Sequence, residues 1–192
     1  MKLVAGLGNP GPQYRGTRHN VGFAVIDLLA SRHGADAWSL TRFDALAARW
    51  RCPAAGEDVW LLKPQTFMNL SGQAIGGFAR YYDIALNDLL IVCDDVNLPL
   101  GRLRARGSGT EGGHNGLKSV AAHLGSIDYP RLRIGVGRGE TRRDLADHVL
   151  ARFEPDEMSG IESAVARAAD AVDAWLDDGL PAMMNAFNRA EE

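Results

Sequence analysis

At 192 residues, 46% of them hydrophobic and 23% charged, the chain has the make-up of one globular domain with a sizeable core. No apolar run approaches the ~20 residues that span a bilayer, and the start M-K-L-V-A-G-L-G-N-P lacks a signal peptide's apolar stretch, so a cytoplasmic protein is expected. The net charge of −3 does not suggest a nucleic-acid binder, yet positions 102–143 hold nine basic and three acidic residues, net +6 against −9 elsewhere, which predicts an electropositive face.

Residues 2–7 read as a short buried strand running into the loop G-L-G-N-P-G. From about 19 to 33, Val21, Val25, Leu28 and Leu29 recur at helical spacing. Residues 45–51 and 58–62 read as two strands joined by the turn-like P-A-A-G-E-D, and a helix is expected from about 67 to 82. The run D-L-L-I-V-C (88–93) reads as a central strand, because its apolar side chains need cover on both faces. Residues 101–106 and 131–136 are further strands, and G-G-H-N-G leads into a helix at 115–124 between them. Helices are expected at 142–149, at 156–177 (Ile161, Val165, Ala168, Val172 and Trp175 on one face) and at 181–187. Strands interleaved with helices, without linker or repeat, predict one α/β domain over 1–192 around a mostly central sheet.

Cys52 and Cys93 lie far apart, outside any CxxC or Cys/His spacing, which argues against a zinc site and a disulfide framework. Both are read as small reduced hydrophobes. The loop G-L-G-N-P-G (6–11) matches G-x-G-x-x-G after a strand, a hint of a dinucleotide site. Against that hint, Pro10 is ill suited to a phosphate-binding helix start, and Asp27 falls inside an amphipathic helix. The glycines can also be a plain tight turn. The preferred reading is that Gly8 and Gly11 let Asn9 project into a cleft above the sheet.

Four blocks are more specific together than singly: G-L-G-N-P-G-P-Q-Y-R-G-T-R-H-N-V-G-F (6–23), K-P-Q-T-F-M-N-L-S-G (63–72), D-D-V-N-L-P-L-G-R-L-R (94–104) and G-G-H-N-G-L-K-S (112–119). In this order and spacing the chain resembles the bacterial peptidyl-tRNA hydrolase family, with R-L-R-I-G-V-G (131–137) and D-H-V-L (147–150) also fitting. The resemblance implies a monomeric α/β fold with a mixed, twisted sheet flanked by helices. It implies cleavage of the ester between a peptide and the 3′-terminal ribose of tRNA, without metal or cofactor, in rescue of prematurely released peptidyl-tRNA.

On its own His19 would read as a surface histidine near a helix start; its flanking match makes it the candidate base. An unperturbed imidazole titrates near ~6.5, so its neutral form is available at neutral pH. By the same resemblance Asp94, at the end of the central strand where α/β sheets place ligands, orients His19. Its neighbour Asp95 is the alternative. Asn69 and Asn115 are implied to contact substrate or water, and Asn9 to separate N-blocked from free aminoacyl esters. Tyr14 and Phe67 match positions near the tRNA acceptor end, core packing being the plainer alternative for Phe67. Met68 is expected to line the same cleft. Arg102, Arg104 and Arg106 alternate, as phosphate contacts or as a charged edge strand would. His114 and Arg133 are reserve members of the site. No G-x-S-x-G elbow is present around Ser71 or Ser108, so direct attack by water is preferred to a covalent serine. Two residues depart from the family pattern, Asn97 where Asp is frequent and Glu111 in a loop of small or neutral residues.

Overall fold

A computed structural model describes residues 1–54, 56–138 and 145–189. Among the described residues, seven strands form one sheet: β1 (Lys2–Gly6), β2 (Ser39–Leu40), β3 (Ala45–Cys52), β4 (Glu57–Pro64), β5 (Leu89–Asp95), β6 (Leu103–Arg106) and β7 (Arg131–Gly135). Their order is β2-β3-β4-β1-β5-β7-β6. The inner four run parallel, while β2, β3 and β6 are antiparallel to their neighbours, giving the expected mixed sheet.

Alternation along the strands fixes the two faces. Leu90 and Val92 of β5 pack with α1 (Val21–His33) and α5 (Met158–Phe187), whose Trp175 is among the largest fully buried side chains. Leu89, Ile91 and Cys93 face α2 (Ser71–Tyr81) and α3 (Asn115–Leu124). α4 is described from Leu145 to Leu150; residues 142–144 of the helix expected at 142–149, Arg142 and Arg143 among them, lie outside the described residues. α5 breaks at Gly179 (φ 81°, ψ 179°) ahead of Pro181, where the sequence predicts a second helix. No helix among the described residues is long and apolar enough to cross a membrane.

Two differences from the sequence reading have local causes. The strand expected from 101 begins at Leu103, because Gly101 (φ 82°) and the bond from Arg102 N–H to the Pro99 carbonyl make a turn first. β2 was not expected; its two residues are exposed, so no alternation marks them.

Close approach of α1 to the sheet positions the loop after β1. A Cβ at Gly22 would lie 2.5 Å from the Val92 carbonyl oxygen and 2.6 Å from that of Leu7. Backbone cannot yield as a flexible side chain can, so Gly22→Ala is expected to destabilise by about 1–3 kcal/mol or more, lowering Tm by roughly 3–10 °C. At exposed Gly160 in α5 the added Cβ would meet Leu100 at an ordinary 3.6 Å, so Gly160→Ala should instead stabilise by about 0.5–1 kcal/mol. Thermal melts of the two variants test the contrast.

Candidate active site

β1 and β5 end side by side, and the chain leaves them in opposite directions along the sheet, from β1 by way of α1 toward β4 and from β5 by way of β6 and α3 toward β7. Such a switch point opens a crevice at the carboxyl ends of the strands. Asp94 is delivered there by β5, 1% exposed. His19 arrives on a single 3-10 turn, Arg18–Asn20, just before α1, and places Nδ1 2.9 Å from Asp94 Oδ1 and 3.0 Å from Oδ2. His114, just ahead of α3, places Nε2 2.8 Å from the same Oδ1. The two rings lie 5.0 Å apart.

The choice between the two aspartates follows from pleating. Asp95 points to the other face, where Oδ2 accepts from Arg133 at 3.2 Å and Oδ1 from the Asn97 N–H at 2.8 Å. Asp94 is therefore the partner of His19. Burial alone would raise the Asp94 carboxyl, but the attraction and hydrogen bonds of His114, then of His19, hold it well below the usual carboxylate range. An ionised carboxylate only accepts, so His19 Nδ1 carries the hydrogen and Nε2 keeps its lone pair.

His114 is fixed from behind. Its Nδ1 accepts the N–H groups of Gly116 and Leu117 at the start of α3 (3.1 and 3.3 Å), so hydrogen sits on Nε2 and is donated to Asp94. His19, Asp94 and His114 do bring three ligand-type atoms within 4.8 Å of one another. A cation on His114 Nε2 would put hydrogen on Nδ1, against those two N–H groups, so the donor set suits protons better than a metal.

A cavity of about 490 Å³ adjoins this cluster, lined by His19, Asp94, Asn97, Asn115, Arg138 and Val149. α4 walls one side and is tied to the His19 turn by Arg18, 4% exposed. The Arg18 guanidinium donates to the Arg152 carbonyl, pairs with Glu157 and lies over the Phe153 ring, while its N–H bonds the Ala151 carbonyl. A larger groove of about 600 Å³ crosses α1 near Pro12, Phe153 and Ile161, without His19 or Asp94.

Asn9 differs from expectation. It is 6% exposed and lines the wall of a groove instead of projecting freely, and Asn20 brackets its backbone: Asn20 Oδ1 accepts the Asn9 N–H (2.8 Å) and Asn20 Nδ2 donates to the Asn9 carbonyl (2.9 Å). Asn9 Oδ1 in turn accepts the Met68 N–H at 2.7 Å, leaving Nδ2 as its donor. Met68 is 5% exposed and packs in the core near Gly116 and Leu7, so it supports the cleft from beneath. Asn69 and Asn115 are exposed. Phe67, for which core packing was the plainer alternative, is 55% exposed and meets Tyr14 edge-on at 6.4 Å. Sequence reasoning missed Asn20 and Arg18, though both stand in T-R-H-N; that each is buried was the missing signal.

The arginines divide. Arg104 and Arg106 are exposed on edge strand β6, paired in register with Arg133 and Arg131. Arg102 precedes that strand and donates to the Asn188 carbonyl, so it does not join the row. Arg133 is spent on Asp95 and the Thr110 carbonyl, and buried Arg131 holds the Gly109 carbonyl. These two support the loop before α3 from below. Glu111 lies in that loop, its carbonyl accepting the His114 N–H.

Among the described residues, neither the cysteines nor Ser71 and Ser108 offer a nucleophile to the cluster. Cys93 is fully buried, which pushes its thiol far above the ordinary value. Ser71 is also fully buried, and Ser108 is exposed on the loop after β6. An imidazole with a free Nε2 on a buried carboxylate is the equipment of a hydrolase that activates water.

Residues 3–192 match the family model for peptidyl-tRNA hydrolase. A peptidyl-tRNA hydrolase of Symbiobacterium thermophilum is 48% identical over 97% of this chain and 98% of its own length. That of Desulfitobacterium hafniense is 48% identical over 98% of this chain and 100% of its own. The crystal structure of peptidyl-tRNA hydrolase from Acinetobacter baumannii superposes with a TM-score of 0.90 at 34% identity, covering 100% of this chain and 96% of that one. The chain belongs to the peptidyl-tRNA hydrolase family, whose members are carboxylic ester hydrolases.

Asp94 also shapes acid stability. Its carboxyl is depressed in the fold and ordinary, near ~4, in the unfolded chain. Its stabilising contribution is thus present above that value and lost as pH falls below it. Urea unfolding from about pH 6 to pH 3 should lose stability less steeply in Asp94→Asn than in the wild type. Equal slopes would refute a depressed Asp94.

Proposed function

We propose that the chain hydrolyses the ester joining a peptide, or an N-acyl-aminoacyl group, to the 3′ ribose of tRNA, and so recycles tRNA from prematurely released peptidyl-tRNA. In this reading it works in the cytoplasm as a monomer, without metal or cofactor. The observation that carries the mechanism is the His19 Nδ1–Asp94 bond at the ends of β1 and β5, which leaves Nε2 facing the site as a base.

A water donates its proton to Nε2 as its oxygen attacks the ester carbonyl. Asp94 holds the ring's tautomer and stabilises the imidazolium. The tetrahedral intermediate then expels the ribose 3′ oxygen, which takes the proton from Nε2. The products are a free carboxylic acid and a tRNA 3′ hydroxyl, and His19 is neutral again. Asn115, which lines the cavity, and exposed Asn69 hold the water and the peptide backbone, while Asn9 Nδ2 meets the carbonyl of an N-blocked substrate. Tyr14 and Phe67 offer faces to the terminal ribose and base. Arg104 and Arg106 extend the surface toward backbone phosphates. His114 and Arg133 act from behind, through Asp94 and Asp95.

Cleavage of N-acetyl-aminoacyl-tRNA is the direct test. His19→Ala is expected to lower kcat by about 10²–10⁴-fold with KM nearly unchanged. Equal rates for the two proteins would end the case for His19 as base. Arg104→Ala or Arg106→Ala should weaken tRNA binding and flatten the plot of log K against log salt by about one unit. An unchanged slope would return β6 to the role of a charged edge strand.

A further inference from the structure

The Asp94 carboxylate is shared. Oδ1 receives His114 Nε2 at 2.8 Å and His19 Nδ1 at 2.9 Å, and Oδ2 stands 3.0 Å from the same His19 nitrogen. The two donors differ in kind. Protonating His114 would put Nδ1–H against the N–H groups of Gly116 and Leu117, beside the positive end of α3. With Nδ1 accepting from both N–H groups, the hydrogen of His114 sits on Nε2 and is given to Asp94. His19 Nε2 meets no such N–H groups, so the two rings differ: both nitrogens of His114 are engaged, while His19 is held through Nδ1.

We propose that His114 is a positioning residue that sets the basicity of His19. Held by the start of α3 with Nε2–H turned to Asp94, it takes up part of a carboxylate that would otherwise serve His19 alone. An imidazolium at His19 is stabilised by the negative charge on Asp94. The His114 hydrogen bond draws on that charge at the very oxygen His19 shares, so it favours neutral His19 down to lower pH. Among the described residues, the other charges around the cluster are engaged or stand at its rim. Asp95 is neutralised by Arg133, Arg18 by Glu157, and His148 of α4 turns to the Gly137 carbonyl. Glu111 lies on the loop ahead of His114, and Arg138 lines the cavity at an exposed position.

The proposal rests on His19 as the base, and two variants test it. In His114→Asn the amide oxygen sits where Nδ1 was and still caps α3, but the side chain is too short to reach Asp94. In His114→Gln the amide N–H reaches Asp94 while the cap is lost. The His19 ring is titrated by NMR, and kcat/KM is measured against pH on N-acetyl-aminoacyl-tRNA. In His114→Asn the His19 midpoint and the acidic limb of the rate profile are expected to rise together by about one pH unit, the effect of losing one hydrogen bond to a charged group. The rate should then fall about tenfold near pH 6 and stay within about twofold of wild type above pH 8. His114→Gln should return both toward the wild type. An unmoved midpoint, a loss equal at every pH, or a Gln protein that titrates like the Asn protein would overturn the proposal. A midpoint that rises while the rate profile stays would uphold the coupling and remove His19 from the chemistry.

Discussion

The buried charge of Asp94 is the constraint around which this molecule is arranged. An ionised carboxylate taken out of water costs several kcal/mol unless it is paired and hydrogen-bonded. Here three elements meet to supply the pairing: the end of β5, the single turn before α1, and the start of α3. Asp95, next in the chain, would repel a second charge at the same strand end. Pleating sends it to the opposite face, and Arg133 neutralises it there. One carboxylate is thus left for the imidazoles while its neighbour anchors the loop before α3.

The amides form a second frame beneath the first. Asn20 holds the backbone of Asn9 on both its polar groups, and Asn9 holds the Met68 N–H. These bonds tie the loop after β1, the His19 turn and the turn before α2 together. Asn69 is presented next to a residue whose backbone is already fixed, which limits how far its exposed side chain can stray. Rigid support beneath an exposed polar group is what a site needs to hold water in one place.

Much of the fold was legible in the sequence because the apolar periods are strong. The alternation in 131–135, the continuous run at 89–93 and the helical spacing at 115–124 all name their elements. β2 was not legible, since two exposed residues carry no period. For the site, the four blocks bring His19, Asp94 and the asparagines into view as residues, but not as a geometry. Which aspartate faces His19 depends on the pleat of β5 relative to its neighbours, and a single-residue change in register would exchange them. Asn9 was read as projecting because its loop is glycine-rich; the partner that brackets its backbone, Asn20, stands 11 residues away. His114 ranked low because its value lies in a backbone cap that no side-chain pattern announces.

Arg18 gives the site a history as well as a shape. Its contact with Glu157 joins residues 139 apart in sequence, and His19 meets Asp94 across 75. Long loops must close before either contact forms, and closure is the slow part of folding. The turn that carries the histidine is complete only when the segment after α4, residues 151–157, has docked on it. A partly folded or C-terminally shortened chain would keep every residue of T-R-H-N and still lack the wall beside it. Catalytic competence is in this sense a readout of completeness, available late and lost early, so activity during gentle denaturation should be a finer gauge of integrity than helix content.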